Sequence, residues 1–254
     1  MKVHILGCGT SSGVPRIGND WGDCDPAEPR NRRRRASILV ESATKRILVD
    51  TGPDLRDQLL DADIADVDAV IWTHDHADHC HGIDDLRQLF HARGAPVVAY
   101  ARPWTLAGLR LRFAYAFAGK DGYPPIVAGH DLPDRLMIGD IAVNCVDQPH
   151  GTITSVGLRF SSDDKTIGYA TDFHAMTEAM ADLYRGLDLW IVDALRRRPH
   201  PTHMHLGDTL AWIDRLSVGQ GVLTHMDQSM DYAGLLAELP PKVVPGHDGL
   251  VVAP

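Results

Sequence analysis

The sequence predicts an α/β (α+β) chain in which two β-sheets pack against each other, with helices on the outside. Short β-branched runs recur with short connections in two groups, one in each half of the chain. Some of these runs are separated by helical patterns and others follow one another as hairpins, so we do not expect a doubly wound parallel sheet. Without a linker-like stretch or an internal repeat, residues 1–254 are expected to form a single domain.

The strands of the first group are apolar runs bounded by charged or turn-forming residues. These runs are Val3–Leu6, Ile38–Val40, Ile47–Val49, Val70–Trp72 and Val97–Tyr100. A helix is expected to begin near Pro53, because Pro and Asp54 suit a first turn and leucines follow at helical spacing. A second helix should follow Gly82, where the apolar residues from Ile83 to Phe90 share one face.

The second group of strands has the same character. Its runs are Ile141–Val146, Val156–Phe160, Ile167–Ala170, Leu189–Val192 and Val222–Leu223. A helix over Thr209–Leu216 lies between the last two runs, and a short helix precedes the closing run Leu250–Val252. Between the two groups, Phe113–His130 contains two prolines and three glycines, which predicts a loop over one face.

Composition excludes several classes of protein. The 254 residues are 44% hydrophobic and 23% charged, as expected of a globular chain and not of a disordered one. No run approaches the roughly 20 apolar residues of a membrane span, and the first residues lack the pattern of a signal peptide, so no membrane partner is expected. The formal net charge of −9 argues against tight binding of a nucleic-acid backbone. The four cysteines form no CxxC pair, which favours the cytoplasm.

A cluster of metal-ligand side chains follows the run Val70–Trp72. The segment from Thr73 reads THDHADH, in which His74 and His76 can close on one ion, and Asp78 and His79 can reach a second ion nearby. Imidazoles and carboxylates without thiolates suit Zn²⁺, Mn²⁺ or Fe and argue against a purely structural zinc. A solvated turn is the weaker interpretation, because four such groups after a buried strand destabilise the fold unless something satisfies them.

Three further candidate ligands each follow an apolar strand: His150, Asp172 and His225. A single His or Asp at a strand end is more often a cap or a turn residue. The THDHADH segment, however, needs partners from elsewhere in the chain to complete two coordination spheres. Three such residues, each following an apolar strand, are therefore candidates for a shared metal site.

In this order the residues resemble those of the metallo-β-lactamase superfamily. THDHADH matches its HxHxDH motif, and LVDTGPD (Leu48–Asp54) and the three later candidates match further positions. The resemblance implies an αββα sandwich, the metallo-β-lactamase fold, with two divalent ions at one edge: Zn²⁺ or Mn²⁺, with Fe as a further candidate. The implied ligands are His74, His76 and His150 for one ion, Asp78, His79 and His225 for the other, and Asp172 between them. Asp50 would orient a ligand histidine from behind.

Three other segments resemble the PhnP-type phosphodiesterases. They are GCGTSSGVP (Gly7–Pro15), PRNRRRRAS (Pro29–Ser37) and HPTHMHLGDTL (His200–Leu210). This resemblance implies hydrolysis of a small nucleotide or sugar phosphodiester, cyclic or not, as in the member that cleaves phosphoribosyl 1,2-cyclic phosphate, and it makes a homodimer plausible. It also implies a catalytic role for His203 beside Asp78 and Asp172, with His205 as the competitor for that role. A metal-bridging hydroxide would attack the phosphorus, and a protonated His203 would assist the leaving group.

The sequence departs from this family in one loop. Several members hold a structural zinc with three cysteines and one later histidine. Here Gly18–Cys24 keeps only Cys24, because Asn19 and Trp21 replace the other two thiolates, and Gln228 stands at the histidine position. We therefore expect packing of Trp21 and hydrogen bonds, and not a zinc ion, to hold this loop.

Two arginine clusters, Arg32–Arg35 and Arg196–Arg198, admit two interpretations. They are either solvated surface or a source of guanidinium groups that bind a substrate phosphate.

Two other activities are found with the HxHxDH motif, promiscuous β-lactam hydrolysis and tRNA 3′-processing. The net charge of −9 and the lack of a basic arm argue against tRNA processing. A metal-binding protein without activity would be expected to have lost ligands, so the complete set favours an enzyme.

Overall fold

The computed structural model describes residues 1–254 and contains two seven-stranded mixed sheets. In spatial order, the first sheet contains β14 (Val251–Val252), β1 (Lys2–Gly7), β2 (Ser37–Glu41), β3 (Arg46–Val49), β4 (Ala69–Ile71), β5 (Val97–Ala101) and β6 (Val127–Asp131). The second contains β13 (Val243–Pro245), β12 (Gln220–Thr224), β11 (Leu189–Asp193), β10 (Lys165–Ala170), β9 (Ile153–Ser162), β8 (Ile141–His150) and β7 (Arg135–Ile138). Each sheet has a parallel part, β3 to β6 or β10 to β13, continued by antiparallel strands.

The helices are short and lie outside the two sheets. They are α1 (Leu55–Asp61), α2 (Ala77–Cys80), α3 (Leu86–Arg93), α4 (Pro103–Arg112), α5 (Ala114–Ala118), α6 (Glu178–Tyr184), α7 (Leu206–Arg215) and α8 (Tyr232–Glu238). No helix has both the length and the apolar content needed to cross a lipid bilayer. The predicted α/β (α+β) sandwich of two mixed sheets flanked by helices is confirmed.

Both faces of the first sheet are buried, which explains its continuous apolar runs. Ile38 and Ile47 point toward the second sheet and share a core with Phe160. Their neighbours Leu39 and Leu48 point the other way and pack in a separate apolar layer with α1 and α3. Because successive residues of a strand face opposite sides, a sheet covered on both sides requires an apolar residue at every position.

The prediction of a loop over Phe113–His130 is wrong in part. The segment contains α5 and most of β6, and β6 pairs in parallel with β5 through Val97 and Val127. Pro124 and Pro125 lie in the turn between these elements and not within either one. Pairing with β5 therefore outweighs the local turn signal. The sequence patterns also missed α4 and α6.

Glu41, at the end of β2, connects three of the antiparallel strands of the first sheet, β1, β2 and β3. It lies opposite Lys2 of β1 and Arg46 of β3, and its carboxylate accepts hydrogen bonds from His4 at 3.0 Å and Arg46 at 3.1 Å. Burial raises the pKa of Glu41, but the bonds from Lys2, His4 and Arg46 outweigh burial and lower this pKa to about 2. The ionised carboxylate therefore contributes stability above its ordinary pKa of 4.5, and this contribution is lost as the pH falls through 2.

We expect Glu41→Gln to lower the free energy of unfolding by about 1–2 kcal/mol at pH 7, allowing for partial exposure of the pairs. Urea titrations between pH 7 and pH 2.5 should show the difference between the two proteins shrink as the pH falls. A difference that is independent of pH would contradict the assignment of these bonds to an ionised Glu41.

Candidate metal centre

Seven histidine and aspartate side chains converge at one edge of the sandwich. They are His74, His76, Asp78, His79, His150, Asp172 and His225, the seven ligands expected from the sequence. The first four follow β4 and enter α2, and the other three lie at or just beyond the ends of β8, β10 and β12. The carboxyl ends of these strands meet at the same edge, so residues distant in sequence become neighbours in space.

The Asp172 carboxylate lies between two groups of imidazoles. Its Oδ1 is 3.5 Å from His150 Nε2 and 4.0 Å from His74 Nε2. Its Oδ2 is 3.1 Å from His79 Nε2 and 3.5 Å from His225 Nε2. Each oxygen of one carboxylate thus faces a different pair of histidines.

The remaining two side chains complete the two groups. His76 Nδ1 lies 3.4 Å from His150 Nε2, on the Oδ1 side of Asp172. Asp78 Oδ2 lies 3.3 Å from His79 Nε2 and 3.7 Å from His225 Nε2, on the Oδ2 side. The ligand atoms of His74, His76 and His150 all lie within 4.8 Å of one another, and so do those of Asp78, His79 and His225. The two groups are those that the sequence resemblance implied.

The donor set fits divalent metal ions. The Nε2 atoms of His74, His79 and His225 are buried and make no hydrogen bond within the protein. Such buried polar atoms are rare in folded proteins, because each one loses its bonds to water without replacement. Imidazole nitrogens and carboxylate oxygens that converge without thiolates are the ligands of Zn²⁺ or Mn²⁺ sites.

The charges of the cluster also favour a cation. Burial lowers the pKa of His74 well below its ordinary value, so this ring is neutral and can offer a lone pair. Burial opposes ionisation of Asp172, but the neighbouring His225 and His79 outweigh it and hold the pKa of Asp172 well below its usual range. Burial also opposes ionisation of Asp78, but its neighbours, chiefly His79, outweigh burial and hold the pKa of Asp78 well below its usual range. Both carboxylates are therefore ionised at neutral pH.

Partners behind the cluster fix the orientation of two of its histidines. The buried Asp50 accepts a hydrogen bond from His79 Nδ1 at 2.7 Å and another from the backbone N–H of Thr73 at 2.8 Å. His150 Nδ1 donates to the carbonyl oxygen of Thr202 at 2.9 Å. A ring whose Nδ1 donates in this way keeps the lone pair of Nε2 directed into the site.

His203 lies against the cluster, and His205 does not. The His203 ring stacks on that of His225 with 4.9 Å between centroids. His205 precedes α7 and pairs instead with Asp208 at 3.1 Å. Of the two candidates for the catalytic histidine, only His203 is placed where it could act.

Asp193 is a residue of the site that the sequence analysis missed. It is fully buried, and its Oδ2 accepts hydrogen bonds from His203 Nδ1 at 2.9 Å and from the backbone N–H of Asp172 at 3.0 Å. The available signal was its position at the end of β11, since Asp172 lies two residues beyond the end of the neighbouring strand β10. Asp193 connects His203 to Asp172.

Three residues of the site have left-handed backbone conformations. The φ angles are 65° at Asp50, 57° at Asp172 and 58° at His225. Outside glycine this region is sparsely populated and is occupied mostly by Asn, Asp and His. Each strand therefore ends in a sharp bend, a strained geometry that is typical of functional sites.

The cluster opens into a cleft of about 250 Å³. Besides cluster residues and His203, its walls are formed by Ser11, Gly151, Thr152, Ile153 and Thr202. Ile153 is the one hydrophobic side chain among them. A cleft of this size and polarity suits a small polar molecule.

A buried guanidinium, that of Arg33, holds the loop that keeps a single cysteine. Arg33 Nη1 donates to the carbonyl oxygen of Asp227 at 3.3 Å and lies 3.8 Å from Cys24 Sγ. Its Nη2 donates to the carbonyl oxygen of Met230 at 2.6 Å. The guanidinium of Arg32 lies over the ring of Trp21, 5.2 Å from its centroid. The solvated-surface interpretation is therefore wrong for Arg33.

The last two arginines of that run are paired with carboxylates. Arg34 forms an ion pair with Asp61, and Arg35 forms one with Asp54 while donating to the carbonyl oxygen of Ser11 at 3.2 Å. Their charges are compensated within the protein, so neither is available as an unpaired phosphate ligand.

The chain is similar to a known protein family and to several characterised proteins. Residues 45–226 match the model of the beta-lactamase superfamily domain. A solved structure described as a new diphosphatase from the PhnP family has 35% sequence identity and a TM-score of 0.90, and the match covers 99% of this chain and 96% of that one. An octanoyltransferase of Porphyromonas gingivalis is 32% identical over 98% of this chain, which spans only 51% of the length of that relative. The exodeoxyribonuclease WalJ of Streptococcus pneumoniae is 24% identical, covering 83% of this chain and 76% of that protein. The range matched by the family model includes all seven residues of the cluster and His203.

Proposed function

This chain belongs to the metallo-β-lactamase superfamily, and from that membership we propose that it is a hydrolase that cleaves a small phosphodiester with the help of two divalent metal ions. The observation that carries the proposal is the position of Asp172, whose two oxygens face two separate groups of ligands. His74, His76 and His150 would hold one ion, Asp78, His79 and His225 the other, and Asp172 would contact both.

Bound divalent ions would supply positive charge for the phosphate oxygens and a water acidic enough to act as nucleophile at neutral pH. The protein keeps the ligands in place for this chemistry. Asp50 fixes the ring of His79, and the carbonyl oxygen of Thr202 fixes the ring of His150. Both contacts are set before substrate arrives, so the site needs little reorganisation.

His203 is placed to handle the leaving group. Because its Nδ1–H donates to Asp193, its Nε2 is the atom that can carry a second proton. The negative charge of Asp193 stabilises the imidazolium form in which His203 would donate that proton to the departing oxygen. Asp193 thus acts through His203, as a positioning residue.

A small phosphodiester or diphosphate suits the cleft better than a nucleic acid does. The likeness to a PhnP-family diphosphatase extends over nearly the whole of both chains, which supports phosphoryl chemistry. The likeness to an exodeoxyribonuclease supports the alternative of a nuclease. The net charge of −9, together with the pairing of Arg34 and Arg35, disfavours a long polyanionic substrate.

A panel of four substrates tests this proposal. It contains bis(p-nitrophenyl) phosphate, a cyclic ribose phosphate, a cephalosporin and a lactoyl-glutathione thioester, each assayed with purified protein whose metal content is measured by elemental analysis. We expect turnover of the phosphodiesters and about two ions per chain. Turnover of the thioester or the cephalosporin alone would overturn the phosphodiester assignment.

We expect His203→Ala to lower kcat about 100-fold while leaving metal content unchanged, because proton transfer by a positioned side chain contributes about 10²–10⁴-fold. Asp193→Asn should lower kcat less and shift the pH profile, since it weakens the orientation and charge support of the His203 ring. His205→Ala is the matched control and should behave as the wild type. Unchanged kcat in His203→Ala would exclude His203 from the reaction.

A further inference from the structure

The loop that carries His74 and His76 is held from outside by α4. Arg112, in the last turn of this helix, donates through Nη2 to the backbone carbonyl oxygen of Asp75 at 2.6 Å and also to the Asp75 carboxylate. Asp75 is the residue between the two histidines. One guanidinium therefore contacts both the main chain and a side chain at the centre of the loop.

Gly108 of α4 gives the Asp75 carboxylate room to lie against the helix. A Cβ atom at position 108 would lie 2.5 Å from Asp75 Oδ2, well inside van der Waals contact. Glycine in a helix interior is less favourable than alanine, because it loses more conformational freedom on folding. The helix therefore has a less stable residue at the point where Asp75 docks.

His76 is the ligand that depends most on this loop. The rings of the other two histidines in its group have partners behind them. His74 Nδ1 lies 3.0 Å from the hydroxyl oxygen of Thr73, and His150 Nδ1 donates to the carbonyl oxygen of Thr202. The exposed His76 ring has one hydrogen-bond contact, the 3.4 Å approach of its Nδ1 to His150 Nε2 inside the cluster. The position of the His76 ring is therefore set by the backbone that leads into it.

The charges of Arg112 and Asp75 would act on a bound cation in opposite directions. The guanidinium repels a cation and the carboxylate attracts one. If Arg112 acted on the site through its charge alone, its removal would strengthen cation binding. If it acts by holding the loop in place, its removal weakens cation binding, so the sign of the effect distinguishes the two roles.

We infer that Arg112 is a positioning residue for His76. By holding Asp75, it fixes the backbone that directs the His76 ring toward His74 and His150, and it thereby raises the affinity of this group for a divalent ion. The inference rests on the proposed function and deepens it, because it gives a residue outside both groups of ligands a role in the metal centre.

Titration of the metal-free protein with Zn²⁺ against a chromophoric chelator tests the inference, since it measures a dissociation constant for each ion. In Arg112→Gln we expect one constant to rise about tenfold, the lower end of the range for partners that orient metal ligands, and the other to keep its wild-type value. Gly108→Ala changes no charge but displaces the Asp75 carboxylate, and it should raise the same constant. Tighter binding in Arg112→Gln would overturn the inference.

Arg110→Gln is the matched control. Arg110 lies on the same helix and donates to the carbonyl oxygen of Gly129 at 2.9 Å, so its loss removes a similar charge and a similar bond without touching the loop. Both dissociation constants should keep their wild-type values in this variant. A change equal to that in Arg112→Gln would show that α4 acts through its overall charge or stability, which contradicts the inference.

A double variant tests whether Arg112 acts through His76. His76→Ala should lose the same ion, and adding Arg112→Gln to it should leave the remaining dissociation constant unchanged, because effects that share one path are not additive. A weaker remaining site in the double variant would contradict the inference. If Arg112→Gln binds both ions as the wild type does, the role of Arg112 is wrong while the proposed hydrolase stands. If the wild type binds no ion, the proposed function itself fails.

Discussion

An Asp172→Asn protein should lose at least about 10³-fold in kcat/KM for an aryl phosphodiester and should retain less than one metal ion per chain. An amide has one oxygen where the carboxylate has two, so either the His74 and His150 side or the His79 and His225 side loses its carboxylate oxygen as a metal ligand. The NH₂ group then faces imidazole nitrogens, and the loss of a negative charge lowers the affinity of both groups for cations. Asn is chosen over Ala because it tolerates the left-handed φ of 57° at this position.

Elemental analysis and steady-state kinetics, with circular dichroism as a check of folding, measure this effect. The matched control is Asp163→Asn, an exposed residue of the β9–β10 hairpin that also has a positive φ, of 50°. The control should keep both activity and metal content. Full turnover with a normal metal content in Asp172→Asn would mean that this carboxylate does not join two ions.

The second large effect concerns stability. Arg33→Met should lower the free energy of unfolding by about 3 kcal/mol or more, because it removes hydrogen bonds from a charged donor, which contribute about 1.5–3 kcal/mol each. The carbonyl oxygen of Met230 loses its donor, whereas that of Asp227 keeps the backbone N–H of Met230 at 3.2 Å and the side-chain oxygen of Asn31 keeps the backbone N–H of Tyr232 at 2.8 Å. Met fills much of the volume of the Arg side chain, so the effect measures the lost hydrogen bonds more than a cavity.

Urea unfolding of three variants separates charge from geometry. Arg33→Lys keeps the charge but lacks the planar fork, so it should fall between the wild type and Arg33→Met. Arg32→Met, next in sequence but exposed, should change stability by less than about 0.5 kcal/mol. Equal stability of Arg33→Met and the wild type would show that the guanidinium does not hold these segments together.

The sequence predicts those parts of the molecule whose cause is local. Four ligands lie within six residues after a buried strand, so THDHADH is visible without any knowledge of the fold. The strands of the first sheet are visible because both of its faces are covered, which makes every residue apolar. The assignment of the later ligands needed the family resemblance, because a single His or Asp at a strand end is common.

What could not be predicted depends on neighbours that are distant in sequence. Asp193 resembles any aspartate at a strand end until β10 and β11 lie side by side and bring it to His203. Arg33 cannot be told from Arg32 or Arg34 within a run of four, because its burial is set by residues 227–230 at the far end of the chain. For α4, exposed apolar residues such as Trp104 and Leu111 obscure the helical pattern, although Pro103 at its start was a usable signal.

The left-handed conformations at Asp50, Asp172 and His225 restrict which natural variants the chain can accept, independently of catalysis. A β-branched or bulky residue at any of these bends would lower the free energy of unfolding by about 1–3 kcal/mol, even in a homologue without hydrolytic activity. Asparagine or glycine would be the inexpensive replacements. Retention of aspartate at position 50 or 172 in a distant homologue would therefore be explained by the left-handed backbone conformation as well as by retained activity.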